Sequence, residues 1–395
     1  ISPELSDALP ADLAARRAPL GSLRGQAKLT FRVGYDPSAQ TPYRFDVAGE
    51  FSEGRWDGAR LRYPLTDIYA KLRANHDGFA VDRLSARSGQ SMFRMSGGRA
   101  GYDERSPLSL QAEIRQLDLD PQLVEILPEV LRNQWYKYSP AGQINADVRL
   151  DYDGQTWRPE ASVECVKVSF TYHKFPYRIE HAKGSLELKN DVLQAHLVGY
   201  SGSQPVRIDA EVQSPLSGPY GWLEARADKL PLDEKLLAAI PEPSRGVVCS
   251  LDPRGTFNAV VRVWRDRPEE PVHRDLAVGL NRCWVQFKNF PYPLSISRGA
   301  LNMLDGAWSF RNLEATNDTG VITCEGHLIP TAEPGQSELL LRFHGAGVAL
   351  NEQLRDALRP DIRRFWNSLR PQGTVDLDVD VRYTTGQSTP DVAVR

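Results

Sequence analysis

The chain has 395 residues, a length that suggests two or three domains. Its 48 Lys and Arg against 51 Asp and Glu leave a formal charge of −3, which excludes a dominant nucleic-acid footprint and an acidic tail. A hydrophobic fraction of 41% is enough for a core, and 28 Pro with 30 Gly favour many short strands over long helices. No apolar run reaches the roughly 18 residues of a membrane-spanning helix. A start at Ile1, with no basic and apolar leader, is expected of a segment of a longer protein. Cys165, Cys249, Cys283 and Cys324 form no CxxC pair and are too few for a disulfide framework, so they do not report a compartment.

The first predicted element is a short helix, Ile1-Ser2-Pro3-Glu4-Leu5 to Leu9-Pro10. Its pattern recurs at Leu119-Asp120-Pro121-Gln122-Leu123 to Leu127-Pro128, at Leu232-Asp233-Glu234-Lys235-Leu236 to Ile240-Pro241, and at Leu350-Asn351-Glu352-Gln353-Leu354 to Leu358. The copies begin 118, 113 and 118 residues apart. Ser2, Asp120, Asp233 and Asn351 are suited to cap the free amides of a first turn. Leucines four residues apart then give one apolar stripe, and the following Pro (Pro360 in the last copy) is expected to stop the helix. The repeats therefore span 1–118, 119–231 and 232–349, with a partial fourth at 350–395.

A glycine follows each helix, at Gly25, Gly142, Gly255 and Gly373, and opens a strand that alternates apolar and polar residues. In the last copy Val375, Leu377, Val379 and Val381 share one face. Asp376, Asp378 and Asp380 share the other, which reads as a solvated sheet face rather than a calcium site. Further on, Phe175-Pro176-Tyr177 and Phe290-Pro291-Tyr292, with a looser Tyr63-Pro64-Leu65, are expected to form rigid turns. Asn190-Asp191, Asp305-Gly306 and Asp77-Gly78 predict tight hairpins between the strands that come next.

Half-apolar strands bury one face and wet the other. Two architectures satisfy this: repeats that close individually as sandwiches, or repeats that add strands to one curved sheet with an apolar groove. The repeats abut without linkers, and their helices are too short to cover a sheet face. Both features favour the second. The expected fold is mainly β, an elongated curved antiparallel sheet groove built from repeats with short helices between them. An uncovered apolar groove implies a ligand, and a long apolar one suits acyl chains.

The stretch Gly299-Ala300-Leu301-Asn302-Met303-Leu304-Asp305-Gly306-Ala307-Trp308, then Leu313 and Gly320-Val321-Ile322-Thr323-Cys324-Glu325-Gly326, resembles the AsmA-like C-terminal repeat. Gly184 to Val212 and Tyr63 to Gly98 resemble it more loosely. The AsmA-like and TamB-type envelope proteins are similar to eukaryotic bridge-like lipid transporters. The resemblance implies a taco-shaped β groove in the periplasm, with the full-length protein anchored in the inner membrane and phospholipids moving between the envelope membranes. It implies membranes at the two ends and other envelope proteins as partners.

The histidines His76, His173, His181, His196, His273, His327 and His344 form no HExxH pattern. The sequence also lacks a Gly-x-Ser-x-Gly elbow and a phosphate loop. The acidic residues recur in caps and turns for structural reasons, so the reading is not an enzyme, with no catalytic residue, no metal and no cofactor. Trp135 and Trp366, placed after their helices, are expected to pack those helices onto the sheet, beside a surface pair Arg363-Arg364. Cys165 and Cys283 read as buried free thiols. Alternation places Val166, Val168, Phe170, Leu193, Leu197, Val285, Phe287, Leu301, Met303, Leu339, Leu341 and Phe343 on the groove lining, where a phospholipid or other acyl-chain lipid slides passively. A one-residue slip inverts that assignment. The rival reading is an envelope scaffold or adhesin-like rod of closed β-sandwich repeats that binds protein or glycan.

Overall fold

The computed structural model describes residues 22–35, 37, 43–58, 62–242, 244–333, 335–385, 387 and 389–395. The chain is mainly β, an open antiparallel sheet of twenty strands with a few short helices. Contacts divide it into two compact units. One is Ile1–Phe170, Glu180–Leu197 and Gln213–Gly218, and the other is Thr171–Ile179, Val198–Val212 and Pro219–Arg395.

The first unit is a meander in which each strand pairs with the next: β1 (Leu23–Tyr35), β2 (Tyr43–Trp56), β3 (Leu65–Asn75), β4 (Gly78–Ser88), β5 (Ser91–Ala100), β6 (Leu108–Leu119), β7 (Ala141–Tyr152) and β8 (Trp157–Tyr172). A 3-10 turn at Pro121–Glu125 and helix α1 (Glu129–Tyr138) link β6 to β7. Strands β9 (Phe175–Lys189), β10 (Val192–Ser201) and β11 (Gln204–Gln213) follow. The second unit is again a meander, of β12 (Tyr220–Pro231), β13 (Arg254–Arg265), β14 (His273–Phe287), β15 (Phe290–Leu304), β16 (Ala307–Asn317), β17 (Gly320–Pro330), β18 (Ser337–Ala349), β19 (Thr374–Thr384) and β20 (Asp391–Val394). Helices α2 (Glu234–Ala239) and α3 (Ser244–Ser250) separate β12 from β13, and α4 (Glu352–Ala357) and α5 (Pro360–Leu369) separate β18 from β19.

The caps and hairpins follow their local chemistry. Asp120 accepts from the Gln122 amide, Asp233 from Leu236 and Asn351 from Leu354, at 2.9, 2.9 and 3.0 Å. The segment at Ile1, with Ser2 and Pro3, lies outside the described residues. Asn190, Asp191, Asp305 and Gly306 all take the positive φ that two-residue hairpin turns demand.

Two expectations are corrected. Proline follows the end of each described first helix, but the helical segment does not end there: a second helix begins, because a first helical turn has no use for the missing N–H. Pro128 precedes α1 and Pro360 is the first residue of α5, so Trp135 and Trp366 lie inside these second helices. Each second helix then stops at a non-glycine residue in the left-handed region, Ser139, Asp252 or Arg370, followed directly by Pro140, Pro253 or Pro371. Phe175-Pro176-Tyr177 and Phe290-Pro291-Tyr292 are not turns but the first residues of β9 and β15, with Tyr177 and Tyr292 buried.

A repeated β-bulge was not visible in the pattern of motifs. Register shifts fall at Ile114/Leu117, Ala227/Leu230 and Gly345/Val348, each just before a helix. The bulge residues Gln116, Lys229 and Gly347 have φ of 55°, 54° and 60°. Their amides, displaced from the ladder, donate to the side-chain oxygens of Asn145, Asn258 and Asp376, at 2.9, 2.9 and 2.7 Å. Each acceptor stands three residues after the strand-opening glycine, Gly142, Gly255 or Gly373. Gly142 has φ +118° and a Cβ there would lie 2.0 Å from the Lys167 carbonyl oxygen, so no other residue fits.

Cores are small and sit at the helix-bearing ends of the strands. In the first unit Cys165, Val168 and Ala182 are buried with Leu119, Ile144, Phe170, Leu186 and Leu197 packed on them. In the second, Tyr292, Val348, Leu354 and Ala357 are buried as α4 packs on β15, with Trp366 and Leu377 alongside. Among the described residues only Val348 and Cys283 are large side chains under 2% exposed.

Replacing Asp376 by Ala strands the Gly347 amide and lowers stability by about 1 kcal/mol in urea unfolding, whereas Asp376→Asn keeps an acceptor and loses less. Asn258→Ala gives a similar loss at Lys229.

On the hairpin between β15 and β16, Asp305 accepts from the Arg274 amide and meets His273 Nδ1 at 2.7 Å. That hydrogen bond raises the His273 pKa above its ordinary value and lowers that of Asp305. With the His273 value raised and the Asp305 value lowered, the contact contributes fully from above the ordinary carboxylate range up to about pH 6.5, and it is lost as pH rises through the raised His273 value or falls through the lowered Asp305 value. The His273 ring therefore titrates above about 6.5 by NMR, and Asp305→Asn returns its midpoint toward that value.

Candidate functional site: the apolar sheet faces

Residues directly opposite one another on antiparallel strands share a face, with Cβ atoms about 4.5–5.5 Å apart. In the second unit the pairings string these residues into rows. One row reads Val278, Leu301, Phe310, Gly326, Leu341 and Val381 across β14 to β19. The neighbouring row reads Leu276, Met303, Trp308, Leu328, Leu339 and Tyr383. A third crosses Leu313, Cys324, Phe343 and Val379. The sequence-predicted Leu301, Met303, Leu339, Leu341 and Phe343 thus come together on one face, in register across several strands.

The opposite face carries the charges. Arg342 pairs with Asp380 at 3.3 Å, His344 with Asp378 at 2.9 Å, and Arg298 with Glu314 at 2.6 Å. The three aspartates of β19 therefore have separate tasks: Asp376 holds the bulge amide, while Asp378 and Asp380 pair across the strands. Exposed ion pairs of this kind are worth little each. They make that face wettable.

The first unit has the same two-sided arrangement. One row runs Leu72, Val81, Gly97, Leu110, Leu150 and Pro159, and the next runs Ala70, Leu84, Met95, Ala112, Val148 and Ala161. The reverse face holds Arg73 with Asp82, Arg94 with Glu113, and Arg115 with Asp147.

Toward the helices these faces are buried, but along the strands they are only half-buried. In the second unit Leu301, Met303, Trp308, Phe310, Leu339, Leu341 and Val381 all remain partly accessible. A face covered by a second layer of structure would have closed them off.

The remaining predicted residues divide four ways. Val168, Phe170 and Leu197 pack together around Cys165 and Ala182, at the covered end. Leu193 is half-buried, on the same side of β10 as the buried Ala195. Val285 packs with Cys283, Ile296 and Ala315, and Phe287 stands opposite Phe290 at 39% exposure. Val166 falls in a bulge: Ile144 opposes Cys165 but Gln143 opposes Lys167. That extra residue shifts the phase, so Cys165, Val168 and Phe170 share the packed side and Val166 drops out of the series.

Sequence reasoning missed most of the partner residues that complete the rows, among them Val278, Phe310 and Leu328. Their signal is the same alternation, and only the pairing register shows which of them meet. It also missed an interhelix tie. Arg132 on α1 donates to the Leu127 carbonyl and Arg245 on α3 to the Ala238 carbonyl, at 3.1 and 3.5 Å, tying these two helices to the segments before them.

The chain matches no protein-family model, and no curated protein and no solved structure is significantly similar to it.

All four cysteines are free, and Cys165, Cys283 and Cys324 are buried while Cys249 is exposed. Burial pushes the Cys165 thiol up to about 11 and the Cys324 thiol up to about 12, and it also raises that of Cys283. Thiols, not thiolates, therefore occupy these positions near neutral pH. Iodoacetamide on the native protein at mildly alkaline pH is expected to label Cys249 alone, and all four cysteines after denaturation, as read by intact mass.

Proposed function

We propose that the chain is a non-enzymatic lipid-binding segment whose half-buried apolar faces hold acyl chains and let them move along the rows. The observation that carries this reading is the in-register apolar face of each unit, half-buried along most of its strands among the described residues and backed by a charged reverse face. Soluble proteins keep a large apolar surface open when a ligand or partner covers it. An acyl chain suits such a surface because its contacts are unspecific and repeat along its length. Each methylene taken out of water contributes about 0.8 kcal/mol, so about ten contribute roughly 8 kcal/mol against the cost of association. No single side chain need dominate, and displacement by one methylene exchanges like contacts for like.

The AsmA-like repeat pattern in the sequence supports a place for this activity in the cell envelope. There the segment would conduct phospholipids between membranes as part of a longer bridge-type protein, with other envelope proteins as partners. Among the described residues no helix is long and apolar enough to cross a membrane.

Native mass spectrometry of the purified segment is expected to show co-purifying lipid. Leu341→Glu puts a charge into the middle of a row and removes loading while the far-ultraviolet circular dichroism stays that of the parent. Loss of the fold instead would mark Leu341 as closed core, and absence of lipid from both proteins would sink the reading in favour of a closed-repeat scaffold.

A further inference from the structure

One charged residue in the first unit stands on the wrong face. On β5 the apolar side carries Phe93, Met95 and Gly97, and the next residue on that side is Arg99. Its cross-strand partners are Phe79 on β4 and Leu108 on β6, and Leu108 in turn opposes Tyr152, which stacks on Trp157 with centroids 4.7 Å apart. Arg99 is half-buried beside these apolar residues, and its Nε is shut off from water. Such a charge is costly unless it is paired.

Arg99 is only partly paired. One terminal nitrogen donates to the Asp103 carbonyl, its Nε is enclosed with no acceptor, and among the described residues no carboxylate lies within ion-pair distance of it. The loop from Ala100 to Pro107 is closed by Ala100 N–H to Pro107 carbonyl and Ser106 N–H to Asp103 carbonyl bonds, both 2.9 Å. Tyr102 ties it back to the Asn75 and Gly78 carbonyls. The guanidinium is thus held in place by the loop rather than swept through solvent.

Arg99 faces a cleft of about 550 Å³, within the range of small-ligand sites. The cleft lies at the strand ends and draws on both faces: Phe79, Leu108 and Tyr152 come with Arg99 from the apolar row, Asp151 and Arg158 come from the neighbouring charged row, and Asp153 comes from the adjoining turn. Those charges are satisfied among themselves and their neighbours. Asp151 accepts from Ser109 and Arg149 at 2.6 and 2.7 Å, and Asp153 from Arg158 at 2.9 Å and from the Thr156 amide. The same bonds hold both carboxyls below their ordinary values, so they stay ionised and compensated. Among the described residues that line the cleft, the cation without a countercharge is Arg99.

We infer that Arg99 is the headgroup site for an anionic acyl lipid, with the carboxylate or phosphate on its guanidinium and the chain on the adjacent rows through Val81 and Leu84. This rests on the acyl-chain reading above and adds to it a charge preference and a position. A guanidinium presents paired donors to such an anion, and charge-assisted bonds of this kind are the strong ones. The row that contains Arg99 is the last of the apolar face on this side, where a headgroup stays at the water boundary while its chain lies inward.

The test is competition against a neutral fluorescent reporter, N-phenylnaphthylamine, by lauric acid, dodecanol and acetate at neutral pH. The parent protein is expected to prefer the acid over the alcohol by about tenfold, and acetate, which lacks a chain, to compete far more weakly. Arg99→Gln brings the acid down to the level of the alcohol and leaves the alcohol unchanged, which also reports an intact fold; Arg99→Lys keeps part of the preference. Equal competition by acid and alcohol in the parent overturns the Arg99 site and leaves acyl binding standing. Loss of both ligands together in Arg99→Gln overturns it too, since it makes Arg99 a structural support. Acetate as strong as lauric acid overturns it in favour of a free-anion site. If neither acid nor alcohol competes, the acyl reading itself fails.

Discussion

The two-faced character of the sheet rests on one hydrogen bond made three times. Gln116, Lys229 and Gly347 each offer an amide that the bulge has pulled out of the ladder, and Asn145, Asn258 and Asp376 each take it. A bulge adds a residue, and an added residue reverses the faces. On β6 the apolar face reads Leu110, Ala112 and Ile114, then resumes at Leu117 and Leu119. Without the extra residue Leu117 and Leu119 would point to the charged side, and the helix that follows would begin on the wrong side of the sheet. The side-chain oxygen makes the re-phasing affordable by giving the stranded amide a partner.

What could be read from the sequence was what is decided locally. Asp120, Asp233 and Asn351 cap because a short acceptor before a first turn has little else to do. Asp305-Gly306 turns because few other dipeptides accept two positive φ values. The face of Leu301, Met303, Leu339 and Leu341 followed from a period of two. What could not be read was decided by a strand neighbour distant in the chain. Asp376 looked like one rung of a solvated ladder, and its acceptor role appears only when Gly347 is seen opposite. Val166 failed for the same reason, since a bulge against β7 interrupts an alternation that looks continuous. Proline misled in another way: the residue that forbids continuing one helix is favoured at the start of the next.

The two ends of each strand serve different purposes. Near the helices, Tyr292, Val348, Leu354 and Ala357 make a closed cluster, with Trp366 packed onto it. Along the strands the same face is only half-buried, and the pairings place its side chains beside neighbours within the layer. Stability is therefore gathered at the helix-bearing ends and in the ladder hydrogen bonds, leaving the open rows free to be selected for what lies on them. A large-to-small change in an open row removes contacts without creating the closed cavity that makes core truncations expensive.

The left-handed residues that end the second helices bear on how such a protein can be improved. Ser139, Asp252 and Arg370 hold a backbone conformation that costs an L-residue roughly 1 kcal/mol and a glycine almost nothing. Among the described residues they follow the second helix at three places, outside the strands that carry the open rows. Thermal robustness can thus be adjusted in modest, separate increments, joint by joint, with the open apolar rows left as they are.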